Sequence, residues 1–172
     1  FLKIIILRLL MNNSKVSTET LKMAQSKMFD ILSIVDDICR DNDIQYWLDA
    51  GTLLGAHRHQ GFIPWDDDID VAMLRKDYNK FLSVAQSKLP TGMFLQTSKT
   101  DKFYFRRSPP CKVRLDGTHI LEKWDLDTIQ PDLKYHQGLF VDIFPMDFYS
   151  PNKYVRAFER SFYKIYCSKM QS

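Results

Sequence analysis

No two cysteines lie close enough in this sequence to suggest a disulfide framework or a zinc site. The three present, Cys39, Cys111 and Cys167, are widely separated and form no CxxC pair. Reduced, buried thiols in a cytosol-facing protein are therefore expected. A long apolar run is missing too. A membrane-spanning helix needs ~20 apolar residues, and FLKIIILRLL at the N-terminus is half that and broken by Lys3 and Arg8. Charge of one sign is also lacking, since 24 Lys and Arg against 21 Asp and Glu leave only +3. That excess gives no case for a nucleic-acid partner. Repeats, low-complexity tracts and clear linkers are absent.

What is present is an ordinary globular composition, 45% apolar and 26% charged over 172 residues. That argues against disorder and for one domain with a sizeable core. Residues 1–16 read as an N-terminal extension, and 17–172 as the folded domain. The first residue is Phe, so translation from upstream of Met11 is preferred for the extension over a signal-peptide remnant or a membrane-surface helix. KIYCSKMQS stops just after an amphipathic helix, so the domain is expected to be incomplete at its C-terminus.

Apolar positions recur at three- and four-residue steps from Ser17 to Arg40, with Ser17 as N-cap, and again from Lys76 to Leu89. Short strands are expected at 44–48, 69–74, 93–96, 103–105, 111–115 and 139–145. A turn at Asp116-Gly117 and a loop from Glu122 to Tyr135 complete the pattern. A last helix should be capped by Ser150, with Pro151 at its first position and Val155, Phe158, Phe162 and Ile165 sealing the core.

The chemistry concentrates between Tyr46 and Arg75. Asp66, Asp67, Asp68 and Asp70 fall within five positions, bracketed by Phe62-Ile63-Pro64-Trp65 and by Ile69, Val71, Ala72 and Met73. Carboxylates this close repel unless a cation or protons compensate, and a hard divalent ion such as Mg²⁺ suits them. On a strand, Asp68 and Asp70 project to one face. Asp142 interrupts the apolar run 139–145, and a lone buried aspartate is costly without a partner. It is expected to join Asp68 and Asp70 as a third metal ligand. Asp66 and Asp67 rank lower, as turn residues or as residues that support the ligands from behind.

Upstream, a strand runs through Gly51-Thr52 into a helix start, which makes a phosphate cradle from free backbone N–H groups. Arg58 is a candidate for binding either phosphate or carboxylate. Lys112 and Arg114 share a strand face, with Arg106 and Arg107 nearby. They form either a solvated edge protected by charge or a basic wall beside an anionic substrate. Two other readings compete for the acid run. Asp66, Asp68 and Asp70 match positions 1, 3 and 5 of an EF-hand, but Val71 replaces the required Gly and Asp77 the final Glu. A glycosyltransferase Asp-x-Asp motif remains open.

Together Gly51-Thr52-Leu53-Leu54-Gly55, Arg58, Gly61 to Asp70 and His136-Gln137-Gly138 with Asp142-Ile143-Phe144-Pro145 resemble the LicD family. That family includes bacterial phosphorylcholine transferases and is similar to the fukutin-type proteins of animals. The resemblance implies an α+β polymerase-β-like nucleotidyltransferase fold, a mixed sheet flanked by helices. It implies metal-dependent transfer, with Mg²⁺ or Mn²⁺, of a phospho-alcohol group, phosphocholine foremost. The donor would be CDP-linked, and the acceptor a hydroxyl of a cell-surface glycan of the teichoic acid or lipopolysaccharide type. Asp68, Asp70 and Asp142 would hold the metal, Gly51 and Thr52 the donor phosphates, and Arg58, Lys112 or Arg114 would neutralise developing charge. Asp142 is also a candidate acceptor of the hydroxyl proton. The expected location is the cytoplasm, at the inner face of the membrane, with no transmembrane span and no nucleic-acid partner. A non-catalytic relative that binds nucleotide or glycan stays open as the alternative.

Overall fold

Ser17 starts the first long helix as its spacing predicts: its hydroxyl accepts the Thr20 N–H at 3.1 Å, and Glu19 sits in the first turn. The computed structural model describes residues 5–7, 17–104, 109–122 and 134–171, with side chains described for 17–104, 109–122 and 134–162. In chain order the elements are β1 (Ile5–Leu7), α1 (Thr18–Asp41), β2 (Trp47–Leu48), α2 (Ala50–His59) and β3 (Asp70–Leu74). They continue with α3 (Arg75–Lys88), β4 (Met93–Thr97), β5 (Cys111–Leu115), β6 (His119–Leu121), β7 (Phe140–Met146) and α4 (Lys153–Gln171).

Five strands form one mixed sheet in the order β2-β3-β7-β5-β4, in which only β3 and β7 run parallel. The parallel pair follows from the long route between them, whereas β4 and β5 can pair antiparallel. β1 and β6 make a separate parallel pair. The architecture is α+β, and it fits the nucleotidyltransferase arrangement that the resemblance implies.

Helices α1 and α3 lie side by side on one sheet face, against β3, β5 and β7. Met28, Ile31 and Val35 of α1 and Phe81 and Ala85 of α3 are wholly buried there, with Val71, Met73, Val113, Val141 and Ile143 beneath them. Each of these side chains except Ala85 contributes roughly 1.5–3 kcal/mol by leaving water. The apolar periodicity of both helices is this contact. Cys39 and Cys111 are buried free thiols within the same core.

Some expectations need correction. Residues 103 and 104 are not a strand: Asp101 holds a turn there, accepting the Phe103 N–H on its side chain and the Tyr104 N–H on its carbonyl. Phe105, Arg106, Arg107 and most of the 122–135 loop lie outside the described residues. The last helix starts two residues later than expected, because Asn152 and not Ser150 accepts the Tyr154 N–H, at 2.9 Å. Nor does that helix seal the core, since Phe158 is 72% exposed and Val155 and Phe162 are exposed as well. Among the described residues, no helix is long and apolar enough to cross a membrane.

Candidate active site

A row of polar side chains crosses the sheet on the face away from α1 and α3. Gln96 of β4 faces Lys112 of β5, Lys112 faces Asp142 of β7, and Asp142 faces Asp70 of β3. Register partners share a face and lie about 5 Å apart, so these four form one line. The flanking positions Leu95, Val113, Val141 and Val71 point the other way, into the core. The same alternation that builds the core therefore delivers the carboxylates.

Asp70 opens β3, and pairing persists one residue earlier, where Ile69 O accepts the Asp142 N–H at 2.8 Å. With Ile69 buried, Asp68 falls on the side of Asp70. On the other flank, the Asp49 N–H reaches Asp70 O at 3.0 Å, bringing a further carboxylate alongside. Burial, followed by the Asp68 charge, pushes the Asp70 carboxyl up to about 6, with Asp66 and Asp49 adding to it. Burial pushes Asp142 up to about 7 although Lys112 opposes it. Burial raises the proton affinity of both groups, and for Asp70 the neighbouring carboxylates add to it.

Ahead of them, Asp66, Asp67 and Asp68 bring one carboxylate oxygen each within 4.8 Å of one another. Among the described residues, this is the acidic group that reaches such separation. Asp66 and Asp67, ranked lower in the sequence, thus bring their carboxylates up to that of Asp68. All the donors are hard oxygens, and the cluster lacks the nitrogen and sulfur ligands that zinc or copper sites use. A Mg²⁺ or Mn²⁺ ion would fit this donor set.

Helix α2 frames the cluster. Asp49 is its N-cap position and Gly51 and Thr52 lie in its first turn, so N–H groups point toward the carboxylates' side. Two glycines one turn apart let the acidic loop fold back along the helix. A Cβ on Gly51 would stand 2.7 Å from Asp66 Oδ2, and one on Gly55 would stand 2.6 Å from Gly61 O. The Thr52 hydroxyl is engaged as well, accepting the Asp70 N–H at 2.8 Å. Ala50 precedes them at φ 44, a left-handed conformation uncommon for alanine.

Arg58 sits in the last turn of α2 and is exposed. Seven residues of helix separate it from Gly51, roughly 10 Å of rise. Its charge suits the helix C-terminus, at the end of α2 away from Gly51 and Thr52.

Lys112 and Arg114 depart furthest from expectation. Neither a solvated edge nor a wall open to substrate describes them, because β5 lies inside the sheet and both side chains are at most 1% exposed. Lys112 Nζ donates to Asp142 Oδ1 at 2.6 Å and to Glu122 Oε2 at 3.1 Å, above the Phe140 ring. Arg114 donates to Glu122 Oε1, to Gln96 Oε1 and, at 2.6 Å, to Gly138 O. Two cations and two anions thus balance in a buried network ending at Asp142. Gln96 extends it by donating to Asp101 Oδ2 and His136 O.

This explains the His136-Gln137-Gly138 motif. His136 Nδ1 accepts the Gly138 N–H, and its Nε2 pairs with Asp116 at 2.7 Å. The bend so fixed presents Gly138 O to Arg114. Sequence reasoning missed Glu122, Gln96 and Asp49, none of which carries a local signal. Strand pairing reveals Gln96 and Asp49, and the hydrogen bonds from Lys112 and Arg114 reveal Glu122.

A family model described as the LicD/FKTN/FKRP nucleotidyltransferase domain matches residues 43–166. The lipopolysaccharide cholinephosphotransferase LicD of Haemophilus influenzae is 49% identical over 65 residues, 38% of this chain and 24% of that protein. The human ribitol 5-phosphate transferase FKRP is 50% identical over 34 residues, 20% of this chain and 7% of that protein. Mouse ribitol-5-phosphate transferase FKTN is 30% identical over 56 residues, 33% and 12% of the two chains. The aligned part is thus at most 24% of the length of these relatives. The matched region holds the carboxylate row, the α2 glycines and the buried ion network together, and the chain belongs to the LicD/FKTN/FKRP nucleotidyltransferase-domain family.

Proposed function

We propose that the protein containing this domain transfers a phospho-alcohol group, phosphocholine foremost, from a CDP-linked donor to a hydroxyl of a cell-surface glycan. The observation that carries the reading is the facing of Asp70 and Asp142 on parallel strands, with Asp68 two residues ahead of Asp70. The named activities of the relatives, choline phosphate and ribitol phosphate transfer, favour this substrate class.

In this proposal Asp68, Asp70 and Asp142 hold one Mg²⁺ or Mn²⁺, with Asp66 and Asp67 beside it. The ion would supply positive charge to a diphosphate and its leaving group. The chain's own residues do the rest. The N–H groups of the first turn of α2 face the donor phosphates, where the helix dipole favours an anion. Lys112 donates to Asp142 Oδ1, which leaves the other oxygen for the ion or for the acceptor hydroxyl proton.

The test is CMP release from CDP-choline by the full-length protein with Mg²⁺, beside Asp68→Ala and Asp70→Ala. Metal-dependent release that both variants lose supports the assignment, and equal turnover in either variant removes it.

A further inference from the structure

Two neutral side chains that lie outside the acidic run grip its backbone. Thr52 Oγ1 of α2 accepts the Asp70 N–H at 2.8 Å, in a half-buried position just where β3 begins. Gln25 of α1, 9% exposed, sends its Nε2 to Asp66 O at 2.8 Å and to Ile63 O at 3.4 Å. The two contacts pin the run Asp66–Asp70 at both ends, from two different helices.

Neither contact is needed to build its own helix. Gln25 stands on the apolar face of α1, between Ala24 and Met28, where a leucine would bury more apolar surface. A buried amide is retained there only because its donors find the loop carbonyls. Thr52 is equally particular. The Asp70 N–H is the first ladder position of β3 on the β2 side, and β2 ends at Leu48. The hydroxyl therefore supplies an acceptor that the short neighbouring strand does not reach.

We infer that Thr52 and Gln25 are positioning residues for the carboxylate cluster, fixing the backbone of Asp70, a ligand of the divalent cation in the proposed reading, and of Asp66 beside it. This gives the Thr52 hydroxyl a task apart from contact with a donor phosphate. The inference rests on the metal reading given under the proposed function. Groups that orient metal ligands from behind typically change affinity by 10–100-fold when removed.

The experiment is calorimetric titration of Mn²⁺ into the full chain and its variants, well below their melting temperatures. Thr52→Val keeps the shape and loses the acceptor, so Mn²⁺ binding should weaken at least ~10-fold. Thr52→Ser restores the oxygen and should restore affinity. Gln25→Met should weaken binding similarly while leaving the helix intact by circular dichroism. If Thr52→Val and Gln25→Met bind Mn²⁺ as the parent does, the two residues serve stability alone and the inference is overturned. Should Thr52→Val fail to fold, Gln25→Met and Thr52→Ser decide: parental affinity in Gln25→Met, or none in Thr52→Ser, overturns it. Asp70→Asn separates the two levels. If that variant also binds as the parent does, the metal reading itself falls.

Discussion

Lys112 Nζ lies 2.6 Å from Asp142 Oδ1, and both side chains are almost entirely withdrawn from water. A pair this deep owes its stability to having both members present. Removing one leaves an unpaired buried charge, which costs about 3–5 kcal/mol. Lys112→Met should therefore lower the free energy of unfolding by that amount in urea titration. Replacing both partners, as Lys112→Met with Asp142→Leu, should recover much of the loss. A double variant as unstable as the single one would contradict the pairing.

The glycines of α2 should separate stability from site geometry. At Gly55 an added methyl meets backbone, the Gly61 carbonyl at 2.6 Å and the Ile63 nitrogen at 2.9 Å. Gly55→Ala should cost roughly 1–3 kcal/mol as the loop is pushed off the helix. At Gly51 the methyl meets only the far end of the Asp66 side chain, 2.7 Å away, which can rotate. Gly51→Ala should melt within a few degrees of the parent yet bind Mn²⁺ more weakly, because Asp66 has moved. Equal metal affinity would show that Asp66 is not part of the cluster.

Ala50 offers the opposite sign. Its φ of 44 lies in the left-handed region that disfavours any side chain by roughly 1–2 kcal/mol. Ala50→Gly relieves that strain and gives part back through a more flexible unfolded chain. The net expectation is a gain of up to ~1 kcal/mol, read by thermal and urea unfolding. A loss would mean that the methyl group makes packing contacts that outweigh the strain.

These positions also mark where the sequence is readable and where it is not. Helix α1 and strands β3, β5 and β7 follow directly from periodicity, because their apolar faces are long enough to show it. Asp70 and Asp142 stand out for a related reason, as single charges in apolar strands. Lys112 and Arg114 alternate with Val113 just as an exposed edge strand would. Only the placement of β5 between β4 and β7 turns that face inward. Glu122, their common acceptor, sits in a stretch with no pattern at all. β1 and β6 are three residues each, too short for any period to register. Helix α4 is amphipathic in sequence, yet the described residues of its apolar face, Val155, Phe158 and Phe162, are exposed. Periodicity reports that a face is apolar, not what covers it.

Protons and metal should compete at this site, and the sign of the competition can be worked out. Asp70 and Asp142 have folded-state affinities raised from 3.8 to about 6 and about 7. The folded protein thus binds protons that the unfolded chain has already lost across that interval. Their contribution to stability is full below pH 4 and disappears as pH rises through about 7. A bound divalent ion replaces those protons, so it stabilises most where they are gone. At a free concentration of 100 times its dissociation constant, Mg²⁺ should add about 2.7 kcal/mol. That gain should appear as a clear rise in melting temperature at pH 8. At pH 5 the protonated carboxyls resist the ion, and the rise should nearly vanish. Melting curves with and without Mg²⁺ at the two pH values read this directly. Asp142→Asn should flatten the difference, because the residue with the larger shift no longer titrates. An equal rise at both pH values would place the bound ion away from Asp70 and Asp142.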